Sequence, residues 1–398
     1  MRVLYLSYNG LLDPLGQSQV LQYLVGLASR GHEFVLLTYE KRDEWANEAY
    51  REAARRTTAA AGIRWIPLRF HWRPSGPATA YDVLVGCLVG LFVALRHRIA
   101  IVHARGYVMA VIALLLKKLL HVRFIFDPRS FWPDERVEMG IWREGARPHR
   151  LAKWLEKQFL TNATAVVSLT ASGAETMRAY PYLRGKEPRF EVITTCTNLS
   201  LFRPRPSPPP ESFTLGYLGT VGTPYLLDEV FEALKVARKI RSGARLLILN
   251  RHDHPFISER ARACGIPLEA MELKGVEHLE VVEELWRMTA GVVFITPTFC
   301  RRFCAPTKLG ELLAAGVPCV ANAGVGDVER ILKGEGVGVV VPDFSAPALE
   351  AGFQALLQLT EEPDIAERCA VVARRYFSLE DGVKAYDALY REVVERQG

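Results

Sequence analysis

An alternation of short apolar strands and helices runs through one half of this chain, stops at a cluster of prolines, and then starts again. Apolar segments at 3–7, 34–38, 63–68, 99–103, 123–127, 165–169 and 190–195 have the length of strands. Helical spacing fills the gaps between them. Residues 17–30, for example, place apolar side chains at 20, 24, 27 and 28 and stop at Gly31. This alternation predicts a parallel sheet covered by helices on both faces. Residues 203–210 then hold five prolines in eight positions, a composition that suits a stiff linker and no regular element. Beyond it, strands are expected at 213–218, 245–249, 271–274, 292–296, 318–321 and 338–341, with helices at 228–240, 281–288 and 307–315. Further helices are expected at 347–359 and 379–395. The predicted fold class is therefore α/β, with two Rossmann-like, doubly wound parallel-sheet domains facing a central cleft. The expected boundaries are a first domain over 1–200, a proline-rich linker over 201–212, a second domain over 213–378, and a terminal helix over 379–398 that crosses back to the first domain. Ligands of open α/β sheets bind at the carboxyl edge of the strands, so the loops that follow strands matter most.

Charge divides unevenly between the halves. Residues 1–200 hold 27 Lys and Arg against 17 Asp and Glu, and residues 201–398 hold 23 against 27. A basic first half suits an anionic lipid surface or a lipid-phosphate acceptor. By charge alone it also suits nucleic acid, and helix faces solvated by arginine would give the same count. The expectation is a peripheral contact with an anionic membrane through the basic first domain, and no nucleic acid. The seven cysteines are scattered, with no Cys-x-x-Cys pair, as expected in a reducing, cytoplasmic setting. The start of the chain runs straight into a strand, with no signal-peptide layout. Two uncharged apolar runs, 83–95 and 106–116, are each shorter than the roughly 20 residues a bilayer span needs. They are expected as buried helices, or as one buried helix and one touching a membrane surface beside Arg96, Arg98, Lys117, Lys118 and Arg123.

Four loops carry candidate chemistry. In the first, Gly16 precedes a helix expected from Gln17, where backbone N–H groups and the helix N-terminus suit a diphosphate; an ordinary strand-to-helix turn fits equally. In the second, Gly219 and Gly222 with Thr220 and Thr223 offer backbone donors and hydroxyls to a phosphate; a structural turn fits equally. The third follows the strand at 292–296 and contains Arg301 and Arg302, then Pro306-Thr307-Lys308-Leu309-Gly310-Glu311. Thr307 is placed to cap the helix. Lys308 sits in the first turn, where a cation opposes the helix dipole, so an anionic ligand is expected beside it. Glu311 lies one turn further, and a carboxylate accepts two ribose hydroxyls at once. The fourth loop is 127–135, with Asp127, Arg129 and Glu135 beside Phe131 and Trp132, a set of charges and aromatic faces suited to a sugar. His103 and Arg105 end the preceding strand and are expected on the acceptor side. A salt-bridge network is the alternative for this cluster.

Several motifs are missing. The chain has no Asp-x-Asp, no Walker loop and no Gly-x-Gly-x-x-Gly. His252 and His254 have no third ligand in view, and Cys300 and Cys304 fare no better. No metal and no cofactor are expected.

With these residues the chain resembles glycosyltransferase family 4, retaining enzymes with the GT-B fold. The resemblance is greatest to bacterial members that share the opening Tyr5-Leu-Ser-Tyr-Asn-Gly-Leu-Leu-Asp-Pro-Leu-Gly-Gln-Ser-Gln19 and the Pro-Thr-Lys-Leu-Gly-Glu donor motif. Residues 127–139 and Ala321-Asn-Ala-Gly-Val-Gly-Asp327 fit the same subgroup. The resemblance implies a nucleotide-sugar donor, UDP- or GDP-linked, as substrate, and a glycan or lipid-linked acceptor. The family carries two glutamates eight positions apart. Glu311 matches the second, which holds the ribose; the first falls on Phe303. The family's Arg and Lys after the glycine matching Gly219 are replaced here by Thr220 and Tyr225, which leaves Lys308, alone or with Arg301 or Arg302, to meet the diphosphate. Asp127 stands where the family has a histidine. Within the resemblance, Asp127, Arg129, Glu135 and Lys308 are the catalytic candidates, and Gly16, Gly219, Thr220, Thr307, Lys308 and Glu311 the donor-binding ones. The alternatives are a GT-B sugar-nucleotide epimerase and a catalytically silent nucleotide-sugar binder.

Overall fold

A computed structural model describes residues 1–206, 212–277 and 280–395. The chain packs as two compact units, one of Met1–Ile193 with Leu379–Gly398 and one of Thr194–Ser378. It thus passes from one unit to the other at 193/194 and returns at 378/379. The proline-rich segment lies inside the second unit's span. Residues 207–211 of that segment fall outside the described residues, and Phe202, just before it, is buried in the second unit's core. The expected linker therefore begins as packed chain, because Phe202 gains more from burial than an extended linker could offer it.

The first unit holds a seven-stranded sheet of β1 (Arg2–Ser7), β2 (Glu33–Glu40), β3 (Arg64–Arg69), β4 (Ile101–Arg105), β5 (Arg123–Asp127), β6 (Ala165–Ser168) and β7 (Arg189–Val192). Their order is β3-β2-β1-β4-β5-β6-β7, and every pairing is parallel. The second unit holds β8 (Thr214–Leu218), β9 (Arg245–Leu249), β10 (Met271–Lys274), β11 (Ala290–Val293), β12 (Cys319–Asn322) and β13 (Gly338–Val341). Their order is β10-β9-β8-β11-β12-β13, again all parallel. Both are Rossmann-like, doubly wound sheets. In each, the direction of winding reverses between the first and fourth strands, at β1/β4 and at β8/β11, which is where such sheets bind ligands.

The period-two pattern explains the burial on both faces. Along β8 and β9, Leu215, Tyr217, Leu246 and Ile248 enter one core, with Phe231, Leu234 and Phe353 from helices. Leu218, Leu247 and Leu249 enter the other, with Leu309, Leu312 and Leu313. The terminal helix Leu379–Glu395 packs on the first unit. Gly26 of helix Gln22–Ala28 has no side chain because a Cβ there would lie 2.7 Å from Val383. The hydroxyl of Tyr390 from the same helix lies 2.7 Å from Nδ1 of His103.

Three elements differ from the sequence reading in ways that bear on function. The helix expected from Gln17 begins at Pro14 and passes through a π-helical turn, Gln17–Leu21, before regular helix resumes. The strand expected over 292–296 ends at Val293, because Phe294 and Ile295 leave the sheet to bond the loop after β8. The apolar run at 83–95 is part of a longer helix, Ser75–His97, of 23 residues. That helix is long and apolar enough to cross a membrane by composition, and only a third of its most apolar stretch is buried.

Candidate functional site

In the second unit the loop after β8 and the helix after β11 converge at the sheet's reversal point. The loop turns through Gly219 (φ 110°) and Gly222 (φ 84°), backbone that side chains with a Cβ rarely adopt. It is held from three sides. The N–H of Gly219 donates to Leu249 O, the Asn250 amide donates to Gly219 O at 3.0 Å, and the N–H of Leu226 donates to Phe294 O. Within the described chain, no hydrogen bond engages the N–H of Thr220, Val221 or Gly222. Thr220 itself is exposed.

Helix Thr307–Ala314 delivers Lys308 to this loop. The N-cap position belongs to Pro306 and no side chain caps the helix, so the capping role expected of Thr307 is not found; Thr307 is already the first helical residue. Gly310 lets the helix seat deeply, since a Cβ there would lie 2.5 Å from the Thr197 hydroxyl. Lys308 is 7% exposed, and its Nζ has no hydrogen-bond partner. The ammonium lies 3.8 Å from the ring centre of Tyr225 and 4.5 Å from that of Tyr217. It would be 3.5 Å from a Cβ on Gly219. Burial pushes the Lys308 amine down to about 7, against the opposing pull of Glu311 and Cys304. Burial likewise pushes the half-buried Glu311 carboxyl up to about 7, with Lys308 holding it back. An ammonium that makes no hydrogen bond, with open N–H groups beside it and two aromatic faces against it, has donors to spare for an anion. Phe303, where the family has its first glutamate, is a core residue at 1% exposure on the short 3₁₀ turn Phe299–Phe303. Arg302 is exposed and stacks on Phe299.

The first unit solves the same position differently. The N–H groups of Leu11 and Leu12, in the loop after β1, donate to the two oxygens of the Glu40 carboxylate at 2.7 and 3.2 Å. The Thr38 hydroxyl donates to it as well. Glu40 is buried, and Gly10 leaves it room. The helix that follows is capped by Asp13, itself paired with Lys41 at 2.9 Å. Gly16 is buried in the first turns of that helix, against Gly10 O and Leu11. The expected diphosphate site at Gly16 is therefore corrected. Its donors are already taken by Glu40, the helix start is capped by a carboxylate, and the glycine serves close packing.

Next to this loop, strand register brings Arg105 beside Asp127. Asp127 is fully buried, with Arg129, Arg105 and His103 at 3.5, 3.7 and 3.8 Å from one carboxylate oxygen. Burial pushes the Asp127 carboxyl up, but Arg129, His103 and Arg105 outweigh it and hold it below its usual range. Burial lowers His103, against the opposing pull of Asp127. Arg129 adopts φ 65°, a strained conformation for an arginine that turns its guanidinium back onto Asp127. His103 and Asp127 are closed to solvent, so neither presents itself to a sugar or an acceptor; Arg105 and Arg129 are the partly open members. Phe131 is also fully buried, which removes it as a sugar platform. Trp132 packs against Trp142 and Tyr107. Glu135 is half-buried on helix Trp132–Glu138.

The structure thus brings Lys308, Glu311, Gly219 and Thr220 together in one unit, and His103, Arg105, Asp127 and Arg129 together in the other. Sequence reasoning missed Tyr217, Asn250 and Glu40. Tyr217 looks like any other core position of a strand. Glu40 ends β2 and Asn250 follows β9, both at the carboxyl edge of a sheet, which was the available signal. Among the described residues, no cluster of His, Cys, Asp and Glu could hold a metal.

Comparisons with known proteins agree with this layout. Residues 16–194 match the family model of the glycosyl transferase 4-like domain. Sucrose-phosphate synthase from Thermosynechococcus elongatus superposes with a TM-score of 0.74 at 17% identity, over 100% of both chains. Anabaena HepE, solved in complex with UDP, has a TM-score of 0.68 at 11% identity, over 98% of this chain and 100% of its own. The lipopolysaccharide outer core galactosyltransferase WaaB has a TM-score of 0.66 at 13% identity, with the same coverage. At these identities the likeness is one of fold, and the fold is GT-B. A sequence comparison with curated proteins finds no match.

Proposed function

We propose that this chain, a glycosyltransferase of the GT-B type, is a retaining enzyme. In this reading it moves a sugar from a UDP- or GDP-linked donor to a hydroxyl of a glycan or lipid-linked acceptor, in cell-surface polysaccharide or glycoconjugate synthesis. The observation that carries the reading is the buried Lys308 ammonium, which makes no hydrogen bond, beside the open N–H groups of the loop at Gly219. The donor's diphosphate fills that place, with Thr220 and Thr307 flanking it. Glu311 accepts the ribose hydroxyls, as the family resemblance implies. HepE, with the same fold, was solved with UDP and with UDP-glucose.

Chemistry follows from charge placement. As the bond from the anomeric carbon to the diphosphate oxygen breaks, negative charge grows on the leaving group. Lys308 and the loop N–H groups stabilise it, a fixed electrostatic contribution that water would supply less well. The acceptor oxygen attacks from the same face and passes its proton to a diphosphate oxygen, so the sugar keeps its configuration. In the first domain Asp127 and His103 act by fixing Arg105 and Arg129, which with Glu135 orient sugar and acceptor. No metal is required, because Lys308 provides the positive charge that an Asp-x-Asp site would otherwise recruit. The reaction takes place on the cytoplasmic side, at the inner face of the membrane. The free cysteines suit that compartment.

The test is incubation with a panel of UDP- and GDP-sugars. Slow release of nucleoside diphosphate with retention at the anomeric carbon, followed by NMR, is the expected result. Interconversion of the sugars would make the protein an epimerase, and binding without turnover a silent binder.

A further inference from the structure

Helix Ser75–His97 carries an apolar stripe that nothing in its own unit covers. Tyr81, Leu84, Leu88, Phe92 and Leu95 are each more than half exposed. Their spacing of three or four residues keeps them within ~80° of one another around the helix and spreads them over about 21 Å of its length. The opposite face is what holds the helix down. Gly86 and Gly90 lie against Ile112 and Leu116 of helix Tyr107–Leu120, and Val93 and Ala94 are buried. Between Ser75 and Leu95 the sole charged residue is Asp82. It is buried, accepts from the Tyr8 hydroxyl at 2.9 Å, and sits 2.6 Å from His71 Nδ1, so the stripe presents no acid outward.

Both ends of the stripe are basic. At the far end Arg96 and Arg98 are exposed, Arg64 reaches His97 at 3.2 Å, and Arg2 reaches the His97 carbonyl. Desolvation lowers His97, and the charges of Arg64, Arg96 and Arg2 add to it. At the near end the exposed Trp72 is stacked with Arg73.

We propose that this stripe is a docking face for an anionic lipid surface, with the helix lying in the plane of the interface. Leu84, Leu88, Phe92 and Leu95 would enter the acyl boundary, Trp72 and Tyr81 the headgroup level, and the arginines at both ends would meet lipid phosphates. Charge selects this occupant over a second copy of the chain. A two-fold pairing through the stripe sets arginines against arginines in either direction, and the exposed carboxylate beside them, Glu33, is already held by Arg2 at 3.1 Å. The inference deepens the reading of a membrane-borne acceptor, but its test measures lipid binding and needs no turnover.

The full chain is floated with vesicles of phosphatidylcholine alone, and of phosphatidylcholine mixed with phosphatidylglycerol. Binding is expected to the mixed vesicles and to weaken with salt. The double substitution Leu88→Glu with Phe92→Glu is expected to lower partitioning by at least about tenfold while leaving thermal stability and nucleoside-diphosphate binding unchanged. Arg96→Glu with Arg98→Glu is expected to remove the preference for phosphatidylglycerol. Vesicle binding indifferent to all four positions would overturn the proposal. So would an oligomer in light scattering that the Leu88 and Phe92 substitutions dissolve.

Discussion

The two units share a strand order and a reversal point, yet they treat the loop at that point in opposite ways. In the first, a strand-end residue, Glu40, supplies a carboxylate that takes the loop's N–H groups. In the second, the strand-end residue is Asn250, whose amide donates to the loop carbonyl and leaves the N–H groups open. The charges nearby follow suit. Asp127 is surrounded by three cationic or protonatable partners, whereas Lys308 has none within hydrogen-bond reach. A buried carboxylate gathers cations at one reversal point, and at the other a buried ammonium feels the charge of Glu311 but makes no hydrogen bond. The same topology therefore yields two different charge patterns at the reversal point, and the difference rests on a few side chains at strand ends.

This contrast can be broken from either side. Asp127→Ala leaves Arg105 and Arg129 without their buried counter-ion and is expected to destabilise the protein by about 3–5 kcal/mol in denaturant unfolding. A loss under 1 kcal/mol would remove Asp127 from the centre of that network. Lys308→Met is expected to cut turnover by roughly two to three orders of magnitude, the scale of losing one transition-state charge contact. Since it also removes a buried ammonium that makes no hydrogen bond, it should leave the melting temperature unchanged or raise it. A large drop in melting temperature would mean that Lys308 is structural. Glu40→Ala orphans the N–H groups of Leu11 and Leu12 and should cost about 1–3 kcal/mol of stability, with nucleoside-diphosphate binding in the other unit untouched.

The smallest expected effect is on pH dependence. Free Lys308 loses its proton near 7, and a diphosphate favours the ammonium, so binding takes up a proton. Affinity should fall as pH rises above about 7, by up to tenfold per pH unit. Glu311 works in the other direction. Its ionised form receives the ribose, so affinity should also fall below about 7. Lys308→Met should erase the alkaline limb and Glu311→Gln the acid limb.

Much of the fold was legible because buried parallel strands are short apolar runs and their number survives errors at their ends. Strands at 123–127, 245–249, 271–274 and 338–341 and the helix at 379–395 fall where the pattern puts them. The end of β11 was not legible, since Phe294 and Ile295 are as apolar as the strand itself and only their bonds to the loop after β8 remove them from it. Lys308 stood out because a lysine in a first helical turn opposes the dipole. Its aromatic neighbours did not stand out, because Tyr217 obeys the alternation of a core strand. Gly16 misled for a related reason. A glycine before a helix signals close approach, but the sequence does not say whether the approaching group is a phosphate or, as here, the chain's own carbonyl. The exposure of Leu84, Leu88 and Phe92 was equally hidden, since a stripe spaced for burial looks the same whether or not a partner covers it.

The central claim is that the reversal point of the second unit receives the diphosphate through Lys308. Calorimetric titration of UDP and of GDP into the wild-type protein and into Lys308→Met tests it most directly. The account predicts that one of the two nucleotides binds the wild type and that the substitution weakens it by roughly a hundredfold, the loss of a charge-assisted contact. An unchanged dissociation constant in the variant would contradict it.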